Sequence, residues 1–97
     1  FEFFTPDYEK FPSLKLAIDA GKRGGTATVC LNAANEEAVL AFLNKRINFI
    51  DIYKITKSIF DNYISINNPS IEQILDEDEK IRIKTKNLIN NYNQLYN

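Results

Sequence analysis

The chain has 97 residues, with 12 Lys and Arg against 13 Asp and Glu, one Cys, and neither His nor Met. Without His there is no Ser–His or Cys–His catalytic couple and no His metal ligand, and one Cys forms neither an internal disulfide nor a cysteine zinc site. A net charge of −1 with interspersed signs provides no basic surface for nucleic acid.

The ends of the chain and its first residues suggest a piece of something larger. A chain without Met is expected to be part of a longer translation product, and no apolar run or leader predicts contact with a membrane. Residues 1–4 alternate briefly and stop before Pro6, which is typical of the end of a β-strand whose partners lie elsewhere. We therefore predict that residues 1–10 end a connecting segment and that residues 11–97 form one helical domain. The expected fold is all-α, a small antiparallel bundle of about four helices.

The first helix is predicted to begin near Pro12, because proline is tolerated in a first helical turn. Three glycines are expected to end it, since glycine adopts the positive φ of a helix C-cap at low cost. These are Gly21, Gly24 and Gly25. Apolar residues at helical spacing predict the buried face, which consists of Leu14, Ala17 and Ile18.

The second helix is the most apolar part of the chain. It begins either at Thr26 or at Asn32, depending on which residue caps it. The cations after Asn44 are placed where the helix dipole favours them, at the C-terminus. A wide apolar face predicts a central position in the bundle. Its residues are Val29, Cys30, Ala33, Ala34, Glu37, Ala38, Leu40, Ala41, Phe42 and Leu43.

Two further helices are predicted downstream. Asp51 is expected to be the N-cap of the third helix. Ser70 is expected to cap a short turn, and Asp76 with Glu79 forms a capping-box pattern for the last helix. The residues expected to face the core are Ile52, Ile55, Ile59, Phe60 and Tyr63 in the third helix and Ile81, Thr85, Leu88, Ile89, Tyr92 and Leu95 in the last.

Two polar segments could suggest ligand sites, but the residues favour structural roles. The glycine-rich segment at 21–26 would need Lys after its last Gly to cradle a phosphate, and Thr26 stands there instead. The acidic residues 76–79 would need Gly and a carboxylate farther on to form a calcium loop, where the sequence has Ile81 and Asn87. We therefore interpret the first segment as helix caps and the second as a stabilised helix N-terminus.

The lone thiol, the alternating cations and the aromatic residues also favour structural roles. Cys30 lies in an apolar stretch with no His to activate it, which predicts a buried and inert thiol. Cations at alternate positions spread around a helix, which predicts a solvated surface and not an anion site. They are Lys80, Arg82, Lys84 and Lys86. The aromatic residues predicted to lie in the core are Phe42, Phe49, Phe60, Tyr63 and Tyr92.

The segment LNAANE at 31–36 is harder to explain by packing alone. Asn is a mediocre helix former and is costly to bury unpaired, yet two Asn lie in the most apolar helix. The favoured interpretation is that Asn32 caps a helix and Asn35 bonds to backbone or to a neighbouring loop, which fixes how the helices meet. Direct contact with a ligand is the alternative.

Five segments follow one another in the order and spacing of a known family. They are FPSLKLA at 11–17, GGTA at 24–27, LNAANE at 31–36, AFL at 41–43 and INFIDI at 47–52. With them the chain resembles the C-terminal part of the 1-deoxy-D-xylulose 5-phosphate reductoisomerase family, densely from Phe3 to Ile52 and only by helix pattern beyond Tyr53. The structural motif of that family here is Asn32, Ala33, Ala34, Asn35 and Glu36.

The resemblance implies an enzyme of the non-mevalonate isoprenoid pathway. Such an enzyme rearranges and reduces 1-deoxy-D-xylulose 5-phosphate to 2-C-methyl-D-erythritol 4-phosphate, using NADPH and a divalent cation, Mg²⁺ or Mn²⁺. It also implies a dinucleotide-binding domain, a catalytic domain, a connecting segment and a C-terminal helical bundle. The resemblance further implies a cytoplasmic homodimer, or one in a plastid-type organelle if the source is a eukaryote.

No residue of this chain matches the catalytic, metal-binding or cofactor-binding motifs of the family, which belong to the upstream domains. We therefore assign no catalytic, cofactor or metal residue here. The chain is expected to support the upstream catalytic domain and to be inactive alone. The alternative hypothesis is an independent helical protein-interaction module with no enzymatic parent.

Overall fold

Four α-helices make up the described part of the protein. The computed structural model describes the backbone of residues 12–96 and the side chains of residues 12–92, so the predicted strand end and the side chain of Leu95 lie outside it. The helices are α1 (Pro12–Arg23), α2 (Ala27–Leu43), α3 (Phe49–Asp61) and α4 (Ile71–Tyr96). The all-α class and the number of helices are confirmed, and no strand occurs within residues 12–96.

Helix α2 is the centre of the bundle, because it contacts all three other helices and its contacts with them are the most extensive in the described chain. Its side chains toward the core are small, which lets the neighbouring helices approach closely. The fully buried ones are Ala27, Cys30, Ala33, Ala34 and Ala38. Larger residues from the other helices fill the space around this small-residue surface, among them Leu16, Ile55, Ile59, Phe60, Ile81 and Ile89.

The starts of α2 and α3 correct two predictions. Helix α2 begins directly after Thr26, which confirms the first of the two predicted starts, and Asn32 lies inside the helix and does not cap it. Helix α3 begins after Asn48, whose backbone N–H donates to Asp51 Oδ2 at 2.9 Å. Asp51 is therefore the third helical residue, and its carboxylate reaches back to the helix start as in a capping box. The prediction that Asp51 is the N-cap was wrong by one helical turn.

Helix α4 is continuous, where the sequence predicted a short turn and a separate helix. Ser70 Oγ accepts a hydrogen bond from the backbone N–H of Gln73, and Gln73 Oε1 accepts one from the backbone N–H of Ser70, at 3.1 and 2.9 Å. This reciprocal pair provides hydrogen-bond acceptors for two backbone N–H groups at the start of α4, which begins at Ile71. The capping box predicted at Asp76 was wrong, because that residue already lies beyond the first turn.

The buried face of α1 also differs from the prediction. Leu16 and Ala20 are buried, whereas the predicted residues Leu14 and Ala17 are exposed and Ile18 is only partly buried. These two core residues are four positions apart and so lie one above the other on a single narrow stripe. Helix α1 packs on the bundle from one side, and a narrow stripe is sufficient for that contact.

The predicted faces of the other helices are largely confirmed, with exceptions near one end of the bundle. Phe49 was predicted to be in the core but is 73% exposed, with its ring edge against Phe42 at a centroid distance of 5.6 Å. Leu40 and Leu43 are exposed on α2 as well. Tyr63, predicted on α3, follows the end of that helix. No helix among the described residues is long and apolar enough to cross a bilayer.

Candidate functional site

The family motif on α2 separates into a buried and an exposed half. Ala33 and Ala34 are fully buried in the core, whereas Asn32 and Asn35 are exposed. Neither amide forms a hydrogen bond with another residue that the structure describes. The prediction that Asn32 caps a helix and that Asn35 bonds to backbone or to a neighbouring loop was therefore wrong for the described residues. Both side chains are exposed and keep their hydrogen-bonding capacity.

Both asparagines line a pocket of about 200 Å³ between α1, α2 and α3. The lining combines apolar side chains with uncharged polar ones, and none of the residues is ionised at neutral pH. They are Ser13, Leu16, Ala17, Leu31, Asn32, Asn35, Tyr53 and Thr56. We refer to this feature as the α1–α3 pocket.

Thr56 gives the wall of the α1–α3 pocket an unusual property. Its side chain is 3% exposed, and its hydroxyl oxygen has no hydrogen-bond partner. A buried threonine in a helix normally donates to the carbonyl four residues earlier, as Thr85 does to the Ile81 oxygen at 2.7 Å. A buried hydroxyl without a partner costs about 1–3 kcal/mol relative to a paired one. Ser65, in the α3–α4 loop, has the only other such hydroxyl within the described side chains.

A second polar cluster lies where the α1–α2 turn meets the α3–α4 loop, and there the groups are paired. Thr26 Oγ1 accepts the backbone N–H of Ile66 at 2.9 Å and lies 2.6 Å from the Tyr63 hydroxyl. That hydroxyl donates to Glu77 Oε1 at 2.6 Å, so the Thr26 hydroxyl must donate to Tyr63. Burial, and next the bond to Glu77, raise the pKa of Tyr63 to about 12. We call this cluster the Tyr63 corner.

Two neighbours hold the Tyr63 corner together. The Arg23 guanidinium donates to the carbonyl oxygens of Phe60 and Tyr63, and it stacks over the Phe60 ring at 4.4 Å. It thereby satisfies carbonyls at the end of α3. Gly25 has a φ of +56°, and a Cβ there would lie 2.3 Å from the Ile66 oxygen. Gly25 therefore makes a close backbone contact. Gly24 and Gly25 have positive φ between α1 and α2, as predicted for helix caps, whereas Gly21 was wrongly predicted to end α1 and lies inside it.

Arg82, on α4, joins that helix to α2 through Glu36 and Glu37, and it also pairs with Asp78 on its own helix. Its nitrogens lie 2.8 Å from Glu36, 3.1 Å from the buried Glu37 and 2.9 Å from Asp78. The bonds to Asp78, Glu36 and Glu37, in that order of size, raise the pKa of the guanidinium. The prediction of a purely solvated cation surface was wrong for Arg82, because the spacing by two says nothing about acids on a neighbouring helix.

The remaining predicted positions have structural explanations. Cys30 is fully buried, which confirms the predicted burial, and burial raises the pKa of its thiol to about 11, as expected of an unreactive cysteine. No group of three or more His, Cys, Asp or Glu side chains is arranged to hold a metal ion among the described residues. Asp76 pairs with Lys80 on the helix surface at 3.0 Å.

Sequence reasoning found the asparagines of the α1–α3 pocket but missed two of its other contributors. In the sequence, Thr56 cannot be distinguished from an ordinary core residue of α3. Ser13 lies on α1, whose buried face was predicted incorrectly. No local signal identifies them, because the pocket exists only where three helices meet. The pocket offers hydroxyls and amides and no general acid or base, so its chemistry is that of binding.

Comparison with known proteins places the chain among enzymes much longer than itself. A family model described as the DXP reductoisomerase C-terminal domain matches residues 1–84. The 1-deoxy-D-xylulose 5-phosphate reductoisomerase of Proteus mirabilis is 42% identical over 88 residues, which cover 91% of this chain and 22% of that protein. The enzyme of Listeria monocytogenes is 46% identical over 87 residues, covering 90% and 23%.

Solved structures give the same result for the fold. The structure of 1-deoxy-D-xylulose 5-phosphate reductoisomerase from Zymomonas mobilis in complex with NADPH superposes with a TM-score of 0.81 at 43% identity, over 91% of this chain and 23% of that one. A DOX-P reductoisomerase in complex with magnesium superposes with a TM-score of 0.81 at 35% identity, over 96% and 26%. The chain thus spans about a quarter of the length of these relatives.

Proposed function

The chain belongs to the 1-deoxy-D-xylulose 5-phosphate reductoisomerase family, and from that premise we propose that it acts as the C-terminal helical domain of such an enzyme. The whole enzyme would convert 1-deoxy-D-xylulose 5-phosphate to 2-C-methyl-D-erythritol 4-phosphate with NADPH and Mg²⁺ or Mn²⁺. The observation that carries this proposal is the match of the C-terminal-domain model to residues 1–84. Residues 1–10 would belong to the connecting segment and residues 11–97 to the helical domain.

The role we propose for this domain is support of the catalytic domain. Its described residues do not fit the cofactors of the family. The α1–α3 pocket is uncharged, and no cluster of three possible metal ligands is found among the described side chains. We therefore place NADPH and the divalent cation in the rest of the enzyme and derive no chemical step from this chain. In the motif from Asn32 to Glu36, the buried alanines pack in the core, and we propose that the exposed asparagines contact the rest of the enzyme.

The remaining expectations concern the whole protein. We propose that the upstream catalytic domain of the same chain is the partner of this domain and that the enzyme is a homodimer. We propose a cytoplasmic location, or a plastid-type organelle if the source is a eukaryote. Neither nucleic acid nor a membrane is proposed as a partner.

A chimera tests the proposed function. The segment of the Zymomonas mobilis enzyme that this chain matches is replaced by this chain, and NADPH oxidation is measured with substrate and Mg²⁺. The chimera should turn over substrate, whereas the same enzyme without the segment and this chain alone should not. A folded chimera no more active than the shortened enzyme would contradict the proposal and favour the independent interaction module. Turnover by this chain alone would contradict the supporting role.

A further inference from the structure

The α1–α3 pocket has open hydrogen-bonding capacity that the fold of this chain does not use. Ser13, Asn32 and Asn35 are exposed at it and form no hydrogen bond with the rest of the described chain. Thr56 in its wall has a buried hydroxyl with no partner. In the Tyr63 corner of the same domain Thr26, Tyr63 and Glu77 are paired with one another, although Ser65 in the α3–α4 loop has a buried hydroxyl without a partner.

The size and chemistry of the pocket define what fits it. At about 200 Å³ it is smaller than the roughly 300–1,000 Å³ typical of small-molecule sites. Leu16, Ala17 and Leu31 supply an apolar lining beside the polar groups, and no lining residue is charged. A single uncharged side chain of polypeptide, with apolar atoms and a hydrogen-bonding group, matches this combination.

The length of the relatives indicates where such a side chain comes from. This chain spans 22–23% of the length of the relatives it matches, so most of the polypeptide of such an enzyme lies outside the bundle. The matching family model describes a C-terminal domain, which places that polypeptide upstream. Interfaces between parts of a protein carry direct hydrogen bonds, so polar groups left unpaired at a contact surface can be paired by the neighbour.

We propose that the α1–α3 pocket is the docking socket of this domain for an uncharged side chain from the upstream part of the complete enzyme. The inserted group would form hydrogen bonds with the Asn32 and Asn35 amides and with the Thr56 hydroxyl in the pocket wall. Its apolar atoms would lie against Leu31. This inference rests on the proposed function, since it assigns to one surface the contact that a supporting domain requires.

Thiol labelling in the chimera described above tests the socket. Asn35→Cys introduces a thiol at the pocket, and Lys84→Cys introduces a matched control on the exposed surface of α4. The native Cys30 is fully buried and should remain unreactive. Labelling rates are measured by mass spectrometry of the modified peptide, in this chain alone and in the chimera. We expect Asn35→Cys to react about tenfold or more slowly in the chimera and Lys84→Cys to react equally in both, because only a docked surface is protected.

Three results would overturn the proposal. Equal reaction of Asn35→Cys in both contexts would show an open pocket, slow reaction in both would show that this chain fills its own pocket, and equal slowing of Lys84→Cys would show general burial. Turnover separates this proposal from the proposed function. An active chimera without protection contradicts the socket alone, whereas protection in an inactive chimera supports the socket and contradicts the enzymatic role. If Asn35→Cys fails to fold, Ser13→Cys reports on the same pocket.

Discussion

Two buried threonines in this domain have opposite surroundings. Thr26, in the Tyr63 corner, is fully buried and its hydroxyl has two partners, the Ile66 backbone N–H and the Tyr63 hydroxyl. Thr56, in the α1–α3 pocket, is 3% exposed and its hydroxyl has none. The first arrangement stabilises the domain by itself. The second lowers its stability when it is alone, which is expected of a surface completed by another part of a protein.

The same contrast extends to the residues around each threonine. Near Thr26, Arg23 donates to two carbonyls and Gly25 allows a close backbone contact. Near Thr56, Asn32 and Asn35 keep their amides free toward the pocket. Substitutions in the Tyr63 corner should therefore change the stability of the chain itself, and substitutions in the pocket should act mainly in the complete enzyme.

The largest loss is expected from Gly25→Ala. Its Cβ would lie 2.3 Å from the Ile66 oxygen, and its φ of +56° is unfavourable for alanine. We expect the free energy of unfolding to fall by about 3 kcal/mol, measured by urea denaturation. Gly24→Ala is the control, because its φ is +69° but no atom lies within 4 Å of its Cβ. It should cost only about 1–2 kcal/mol, and equal losses would contradict the role of the close contact.

A smaller loss is expected from Thr26→Val. This change leaves the Ile66 N–H and the Tyr63 hydroxyl each without one partner in a buried site. We expect about 2 kcal/mol of destabilisation in the same denaturation assay. Thr85→Val should cost about 1 kcal/mol or less, since the Ile81 carbonyl is also part of the helix ladder. A Thr26→Val variant as stable as the wild type would show that the corner does not anchor the loop.

The Tyr63 corner should also make stability depend on alkaline pH. Tyr63 has its pKa raised from 10.0 to about 12 by burial and by Glu77, so the folded chain holds this proton more tightly than the unfolded chain. Its contribution is complete below pH 10 and is lost as the pH rises from 10 to 12. Because the side chain is partly exposed, the loss should be smaller than that of Thr26→Val.

Tyr63→Phe provides the check on this alkaline transition. Melting temperatures measured from pH 9 to pH 12 should fall less steeply for the variant, because the group that titrates has been removed. The slope that remains would include Cys30, whose pKa is also raised by burial. Identical pH profiles for variant and wild type would exclude Tyr63 as the source.

The smallest effect is expected from Asn35→Ala in this chain alone. The amide has no partner among the described residues, and alanine is the better helix former. We expect the free energy of unfolding to change by less than about 0.5 kcal/mol. Asn32→Ala should behave in the same way. A loss of unfolding free energy as large as that of Thr26→Val would show that these asparagines stabilise the chain itself. It would contradict the contrast between the α1–α3 pocket and the Tyr63 corner.

The sequence predicted most of the fold because local patterns determine it. Apolar residues at helical spacing, with glycine and proline between them, identified the helices, and the wide apolar face of α2 correctly indicated a central helix. Helix starts were less predictable. Several residues near each helix start have side chains that could cap it. The observed pairs form only because the flanking chain adopts the required geometry, and they are Ser70 with Gln73 and Asn48 with Asp51.

The candidate site was predictable only in part. The motif at 31–36 identified Asn32 and Asn35 as unusual, but the sequence alone favoured internal hydrogen bonds for them. Whether a polar side chain finds a partner depends on groups far away in sequence, as Tyr63 and Thr26 show. The pairing of Arg82 with acids on α2 was missed for the same reason.

The effect of Thr56→Val in two contexts tests the central claim most directly. Valine has nearly the same shape but no hydroxyl, so the melting temperature of this chain alone should rise, by the equivalent of about 1 kcal/mol. In the chimera with the Zymomonas mobilis enzyme this gain should disappear or reverse, because the pocket is then completed by the upstream chain. Thr85→Val should lower the melting temperature in both. An equal rise in melting temperature from Thr56→Val in both contexts would contradict this claim. It would show that the α1–α3 pocket is not completed by the upstream chain.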